Sequence, residues 1–295
     1  MIDDTTVRAL AGLWVPLLTP FRDDLSVDFD RIGPFCRERL DDGCHGLALM
    51  GTTSETASLS VTERMRILEV ALAAGIAPTQ ITCGTGACAL PDAVELTRHA
   101  VQTGCLATMI LPPFYFKNVG DDGCFRSIAA VIERVADPRL RVVLYNIPSL
   151  AAVTFTPAVV QRLVDTFGEV IVGIKDSSGD PMSTLRLAKL LRGRAVLPGT
   201  EGYLGAALRS GATGCVTATA NVRARPIREL LDDPTAADAR DRQAELTAYR
   251  TDLERDVDII VACKRVLAAR TGHAAWALVR PPLSLVANAT TESSA

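Results

Sequence analysis

Eight short apolar runs, each bounded by Gly, Pro or Asn, alternate with stretches that carry helix punctuation, and this alternation most constrains the fold of the 295-residue chain. The runs cover residues 13–17, 46–50, 80–83, 107–111, 141–145, 170–174, 194–197 and 214–217. Apolar runs of this length without polar alternation are what a strand needs when both of its faces are buried, as in a parallel sheet. Between them, Ser60 and Glu63 form a capping-box pattern ahead of residues 65–74, and Gly75 supplies the stop. Thr156-Pro157 and Asp180-Pro181 each place an N-cap before a proline at the first helical position, with Gly168 and Gly193 as stops.

Eight parallel strands, each followed by a helix, predict an α/β fold of the TIM (β/α)8 barrel type; an open, doubly wound sheet is the structural alternative. From about Arg225 the pattern changes. Residues 234–272 lack strand-like runs and read as charged amphipathic helices, for example 236–254, ending near Gly272. The expected organisation is a catalytic barrel domain over residues 1–224 and a C-terminal helical segment over 225–295 packed against it. Residues 290–295 are polar and read as a loose tail.

Composition narrows the function classes. The formal net charge is -3, with acidic and basic residues mixed along the chain, which leaves no basic face for nucleic acid or anionic lipid. A small-molecule partner is expected. The start Met1-Ile2-Asp3-Asp4 has no positive n-region or apolar h-region, and no apolar stretch is long enough to cross a bilayer, so a cytoplasmic protein without membrane contact is expected. The eight cysteines show no C-x-x-C pair and no His at ligand spacing, which reads as reduced, buried thiols and no metal site. Gly84-Thr85-Gly86-Ala87-Cys88-Ala89 matches a dinucleotide-binding fingerprint, yet no acidic residue stands about 20 positions further on to hold a ribose.

In a barrel of this kind the loops after the strand C-termini build the active site. Here those loops hold Gly51-Thr52-Thr53-Ser54-Glu55, Pro112-Pro113-Phe114-Tyr115, Tyr145-Asn146-Ile147-Pro148-Ser149, Gly199-Thr200-Glu201 and Thr217-Ala218-Thr219-Ala220-Asn221. After the sixth strand, Lys175 ends the apolar, β-branched run Ile171-Val172-Gly173-Ile174. An ammonium taken out of water is biased toward the neutral amine, which is a nucleophile and forms Schiff bases with carbonyl compounds. The plainer readings are an ion pair between Lys175 and Asp176, or a side chain snorkelling at a strand end. Tyr145, one strand over, is placed to move protons, Thr52 or Thr53 to relay them, and the backbone N–H groups of both threonines to receive a 2-oxo acid carboxylate. The plainer readings here are a tight turn with Thr caps, a half-buried Tyr145, and a Glu55 that receives a backbone donor or an Arg at the barrel mouth.

Five ordered motifs, Leu17-Leu18-Thr19-Pro20-Phe21, Gly51 to Glu55, Tyr145-Asn146-Ile147-Pro148, Gly173-Ile174-Lys175-Asp176 and Val279-Arg280-Pro281-Pro282-Leu283, together resemble the dihydrodipicolinate synthase / N-acetylneuraminate lyase family of pyruvate-dependent Schiff-base enzymes over nearly the whole chain. The resemblance implies a barrel with a C-terminal helical segment, Lys175 as the imine-forming residue, Tyr145 as proton shuttle, and Thr52 and Thr53 as ligands of the pyruvyl carboxylate. It implies a homodimer or homotetramer in which Tyr115 reaches into the neighbouring subunit's site. It also implies no cofactor beyond the covalent lysine imine with pyruvate.

Two departures from the family pattern stand out. Ser54 occupies a position that is usually Gly, which bears on the turn's backbone. Leu150 stands where the lysine-pathway synthases carry an arginine that grips the second substrate's carboxylate. Gly199, Glu201 and Thr217 remain as candidate substrate-binding residues, although Thr200-Glu201-Gly202 and Ala218 replace several groups by which the neuraminate lyases hold a sugar chain. The expected enzyme is a lyase that makes or cleaves a C–C bond between pyruvate and an aldehyde, with a 2-keto-3-deoxy sugar acid as the leading substrate. The alternatives are a keto-deoxy sugar acid dehydratase using the same imine, a 4-hydroxy-tetrahydrodipicolinate synthase acting on pyruvate and aspartate semialdehyde, and a non-catalytic 2-oxo acid sensor.

Overall fold

A computed structural model describes residues 4–284. Its eight strands are β1 (Gly12–Pro16), β2 (Gly46–Leu49), β3 (Ile81–Gly84), β4 (Ala107–Ile110), β5 (Val142–Asn146), β6 (Ile171–Asp176), β7 (Ala195–Pro198) and β8 (Gly214–Val216). Each lies within two residues of its expected run. All are parallel, in the order β7-β6-β5-β4-β3-β2-β1-β8. The remaining seam, between β7 and β8, is bridged by Thr213, whose N–H donates to the Val196 carbonyl at 2.9 Å and whose hydroxyl accepts from the Val196 N–H at 3.2 Å. The barrel is thus nearly closed.

Every strand residue is buried, which is why the runs carry no polar alternation. Trp14, Ala48, Met109, Val143, Val172, Leu197 and Val216 meet inside the barrel, and the opposite strand faces pack on the surrounding helices. Helix starts follow the local chemistry. Ser60 and Glu63 form the reciprocal box at the head of Val61–Ala73. Thr156 accepts from the Val159 N–H, and Asp180 from the Met182 N–H. Gly193 plays a different part from the one expected, because its helix ends at Leu190 and the glycine serves the following turn at φ 81°.

The helix Ala220–Asp232 packs against β1 and changes direction at Arg223, so position 225 falls inside a helix that covers the barrel. Two further helices, Ala239–Leu253 and Ile259–Thr271, follow, and the second stops at Gly272 in the left-handed conformation. Leu246, Ile260, Cys263, Leu267 and Trp276 share one apolar cluster with Phe35 and the β1–β2 side of the barrel, and the Trp276 and Phe35 rings lie 4.6 Å apart. The tail expected over 290–295 lies outside the described residues. Among the described residues no helix is long and apolar enough to cross a membrane.

Candidate active site

Two neighbours at the end of β6 part company. Side chains alternate along a strand, so Lys175 and Asp176 face opposite ways. Asp176 turns outward and accepts from the Asn146 amide (2.9 Å), the Ser178 N–H (3.2 Å) and hydroxyl (3.1 Å), and the Thr184 hydroxyl (2.8 Å). Lys175 shares the inward face with Tyr145 and Leu197, its register partners on β5 and β7. It is 4% exposed and, among the described residues, has no ion-pair partner. Both plainer readings, a Lys175–Asp176 pair and a snorkelling side chain, are therefore set aside.

The Lys175 ammonium nitrogen sits 4.0 Å from the centroid of the Tyr145 ring. The Tyr145 hydroxyl lies 3.1 Å from Thr52 Oγ1. Side chains from β6, β5 and the loop after β2 thus cluster: the amine lies over the phenol ring, and the phenol hydroxyl meets the Thr52 hydroxyl.

The loop after β2 makes two 3-10 turns, Thr52–Ser54 and Thr56–Ser58, and the N–H groups of Thr52 and Thr53 head the first without an intrahelical acceptor. Thr53 is buried beside them. Ser54 needs no special backbone angle: its hydroxyl donates to the Leu17 carbonyl at 2.6 Å, and its carbonyl accepts from the Thr19 hydroxyl at 2.7 Å. Met50, just before the segment Gly51–Glu55, has a positive φ of 52°, and within the segment the left-handed residue is Glu55, at φ 57° and ψ 35°. Its carboxylate accepts from Lys264 Nζ and, at 2.8 Å, from the Arg280 N–H. Burial pushes the Lys264 ammonium down to about 8, against the pull of Glu55. The Arg280 guanidinium meanwhile grips Glu63 at 2.6 and 3.0 Å and draws that carboxyl down to about 2.

Across the barrel, Glu201 is wholly buried. Its Oε2 accepts from the Thr217 hydroxyl and lies 3.6 Å from Arg250 Nη1, while its Oε1 has no hydrogen-bond partner among the described residues. Arg250, on the helix Ala239–Leu253, also reaches the Thr217 and Thr219 hydroxyls at 3.3 and 3.4 Å. The Gly199 N–H donates to the Asp176 carbonyl at 2.7 Å, which ties the ends of β6 and β7 together.

Tyr115 stands 72% exposed and edge-on to Phe116. Among the described residues no hydrogen bond links it to Tyr145. Leu150, on the short helix Pro148–Ala151, is 60% exposed. In the loop after β3, the carbonyls of Gly84 and Gly86 accept from Arg64 at 2.9 and 3.1 Å.

Sequence reasoning missed Lys264 and Arg250. For Lys264 a signal existed, since it ends the apolar run Ile259-Ile260-Val261-Ala262-Cys263 much as Lys175 ends its own. Arg250 lies among charged residues of a helix and nothing local marks it.

The fold and the buried amine–phenol pair define a barrel lyase of the pyruvate-dependent aldolase class. The model of the dihydrodipicolinate synthetase family matches residues 9–294. An uncharacterized DapA-like lyase of Chloroflexus aurantiacus is 32% identical over 277 residues, which are 93% of this chain and 91% of that protein. The crystal structure of dihydrodipicolinate synthase from Agrobacterium tumefaciens is 33% identical, with a TM-score of 0.87 and 94% of each chain covered. YagE of E. coli K12, a prophage protein of the dihydrodipicolinic acid synthase family solved in complex with pyruvate, is 25% identical, with a TM-score of 0.85 over 95% of this chain and 94% of the other. The chain belongs to the dihydrodipicolinate synthetase family.

Proposed function

We propose that Lys175 captures pyruvate, or the pyruvyl end of a larger 2-oxo acid, as a covalent imine. The amine attacks the C2 carbonyl and water departs. In the cleavage direction the protonated imine withdraws the electron pair of the C3–C4 bond while the C4 hydroxyl gives its proton to Tyr145. An aldehyde leaves, the enamine takes a proton at C3, and hydrolysis releases pyruvate and the free lysine. Thr52 passes the proton on from Tyr145, and the N–H groups of Thr52 and Thr53 hold the carboxylate. The observation that carries this reading is the ion-pair-free, buried Lys175 over the Tyr145 ring, with Thr52 on the phenol.

For the second half of the substrate we propose an uncharged, hydroxyl-bearing chain, as in a 2-keto-3-deoxy sugar acid. Leu150 offers no guanidinium to a second carboxylate. Glu201, whose Oε2 takes the Thr217 hydroxyl and whose Oε1 has no hydrogen-bond partner among the described residues, supplies an acceptor oxygen suited to hydroxyl donors. Condensation of pyruvate with aspartate semialdehyde is the second reading, supported by the 33% identity to a dihydrodipicolinate synthase. The enzyme works in the cytoplasm as a homodimer or homotetramer, in which Tyr115 completes a neighbour's site. Incubation with pyruvate and borohydride should leave one reduced pyruvyl group on Lys175; an unmodified lysine in folded protein would overturn the mechanism. Product analysis on keto-deoxy sugar acids and on aspartate semialdehyde then separates the two substrate readings.

A further inference from the structure

The structure assigns Lys264, in the C-terminal segment, the role of positioning residue for the carboxylate site: its ammonium holds Glu55, and through Glu55 the turn that presents Thr52 and Thr53. This role rests on the reading of those two threonines given above and extends it, through Glu55, to a residue 209 positions beyond Glu55 in sequence.

The geometry is a closed cluster. The Lys264 and Glu55 side chains are 0% and 1% exposed. Lys264 Nζ also donates to the Leu278 carbonyl at 2.6 Å and sits 4.3 Å from the centroid of the Phe21 ring. The Arg280 guanidinium lies 4.9 Å from the same ring, with its charge directed at Glu63. The charged groups around Lys264 are therefore Glu55 and Arg280, with Glu63 beyond.

The turn itself stores a cost that this cluster offsets. A residue with a Cβ is disfavoured in the left-handed region, and Glu55 adopts it at φ 57° while its N–H closes the turn on the Thr52 carbonyl at 2.9 Å. A buried carboxylate without its counter-charge moves toward water or takes up a proton. Either response releases the constraint on Glu55 and lets the turn that carries the Thr52 and Thr53 N–H groups relax. The bonds at Ser54 and Thr19 would keep the loop folded, so the loss should appear in substrate capture more than in the fold.

The test is borohydride trapping of pyruvate at Lys175 over a range of pyruvate concentrations, read by mass spectrometry on the full chain. Lys264→Met, Glu55→Gln and the double variant are compared, the last leaving no buried charge unpaired, with near-ultraviolet circular dichroism to select those that fold. We expect the pyruvate concentration for half-maximal trapping to rise about tenfold or more, the scale of one lost charge-assisted hydrogen bond, with the saturating yield kept. A lowered melting temperature with unchanged half-maximal concentration in the folded variants would show simple structural support and overturn the role. Absence of trapping in the unaltered enzyme would overturn the Lys175 reading instead, and this role with it.

Discussion

Tyr145 and Lys175 are direct register partners on β5 and β6, with the ammonium nitrogen 4.0 Å from the phenol ring's centroid. Parallel neighbours in register project their side chains to the same side of the sheet, so the pairing follows from the two strands and needs no loop to adjust it. The phenol hydroxyl meets Thr52 Oγ1 at 3.1 Å. Tyr145→Phe keeps the ring under Lys175 and removes only the proton carrier. Turnover should fall about 10²- to 10⁴-fold, while the melting temperature stays near that of the parent. Thr52→Val removes one partner of the phenol, and a loss nearer tenfold is expected. Steady-state kinetics on a cleavable substrate checks both; a Phe variant with parental turnover would remove Tyr145 from the mechanism.

Gly173 lies two residues before Lys175, and a methyl group there would meet the Ala195 carbonyl oxygen at 2.4 Å and the Ala195 Cβ at 2.8 Å. Both belong to β7, the register neighbour, which is held to β6 by its ladder and to Thr213 at the seam, so its backbone has little room to retreat. Gly173→Ala should therefore destabilise by about 1–3 kcal/mol through overpacking and displace the amine from the phenol. Urea unfolding and borohydride trapping together test this, since the substitution should reduce both.

The strands, the capped helices and the residues of the amine–phenol cluster were readable because each depends on local pattern: continuous burial, cap chemistry, and a lysine at the end of an apolar run. Asp176 shows the limit. Adjacent in sequence to Lys175, it invites an ion pair, and only the alternation of the strand, fixed by its pairing with β5, sends it outward to Asn146, Ser178 and Thr184. Lys264 and Glu55 show a second limit, because contact between a helix and a loop 209 residues apart depends on how the C-terminal helices dock. The backbone of the Ser54 turn is a third: the left-handed angle falls one residue later than the family pattern suggests.

Leu150 is 60% exposed on the helix that follows β5. If the missing guanidinium is what disfavours a dicarboxylate product, Leu150→Arg should raise kcat/KM for condensation with aspartate semialdehyde by about tenfold, a modest gain because the site is open to solvent. The same variant should leave pyruvate trapping unchanged. A coupled assay with both substrates decides it, and equal rates in parent and variant would locate the selection elsewhere, with Glu201 the next residue to alter.

Alkaline pH should unfold the protein through its thiols. Burial pushes Cys36, Cys44, Cys124 and Cys263 up to about 12 and holds Cys83 and Cys215 well above their ordinary value, with a hydrogen bond from Cys105 as the leading cause for Cys83. An unfolded thiol ionises near 9. Above that pH the unfolded chain releases protons that the folded chain keeps, so stability is full below about 9 and is lost as the pH climbs toward 12, by up to ~1.4 kcal/mol per pH unit for each group. Lys264 acts in the opposite sense. Its folded value of about 8 lies below its unfolded one, so it contributes stability as the pH rises from about 8 to 10.5. Cys105, lowered by its hydrogen bond with Cys83, and Arg64, lowered by burial to about 10, act in the same sense as Lys264, but the six raised thiols outnumber these three. The urea midpoint under reducing conditions should therefore fall between pH 8.5 and pH 10.5, and Cys36→Ala should make the fall shallower. A midpoint that held steady or rose over that interval would show that the buried thiols do not govern the alkaline limit.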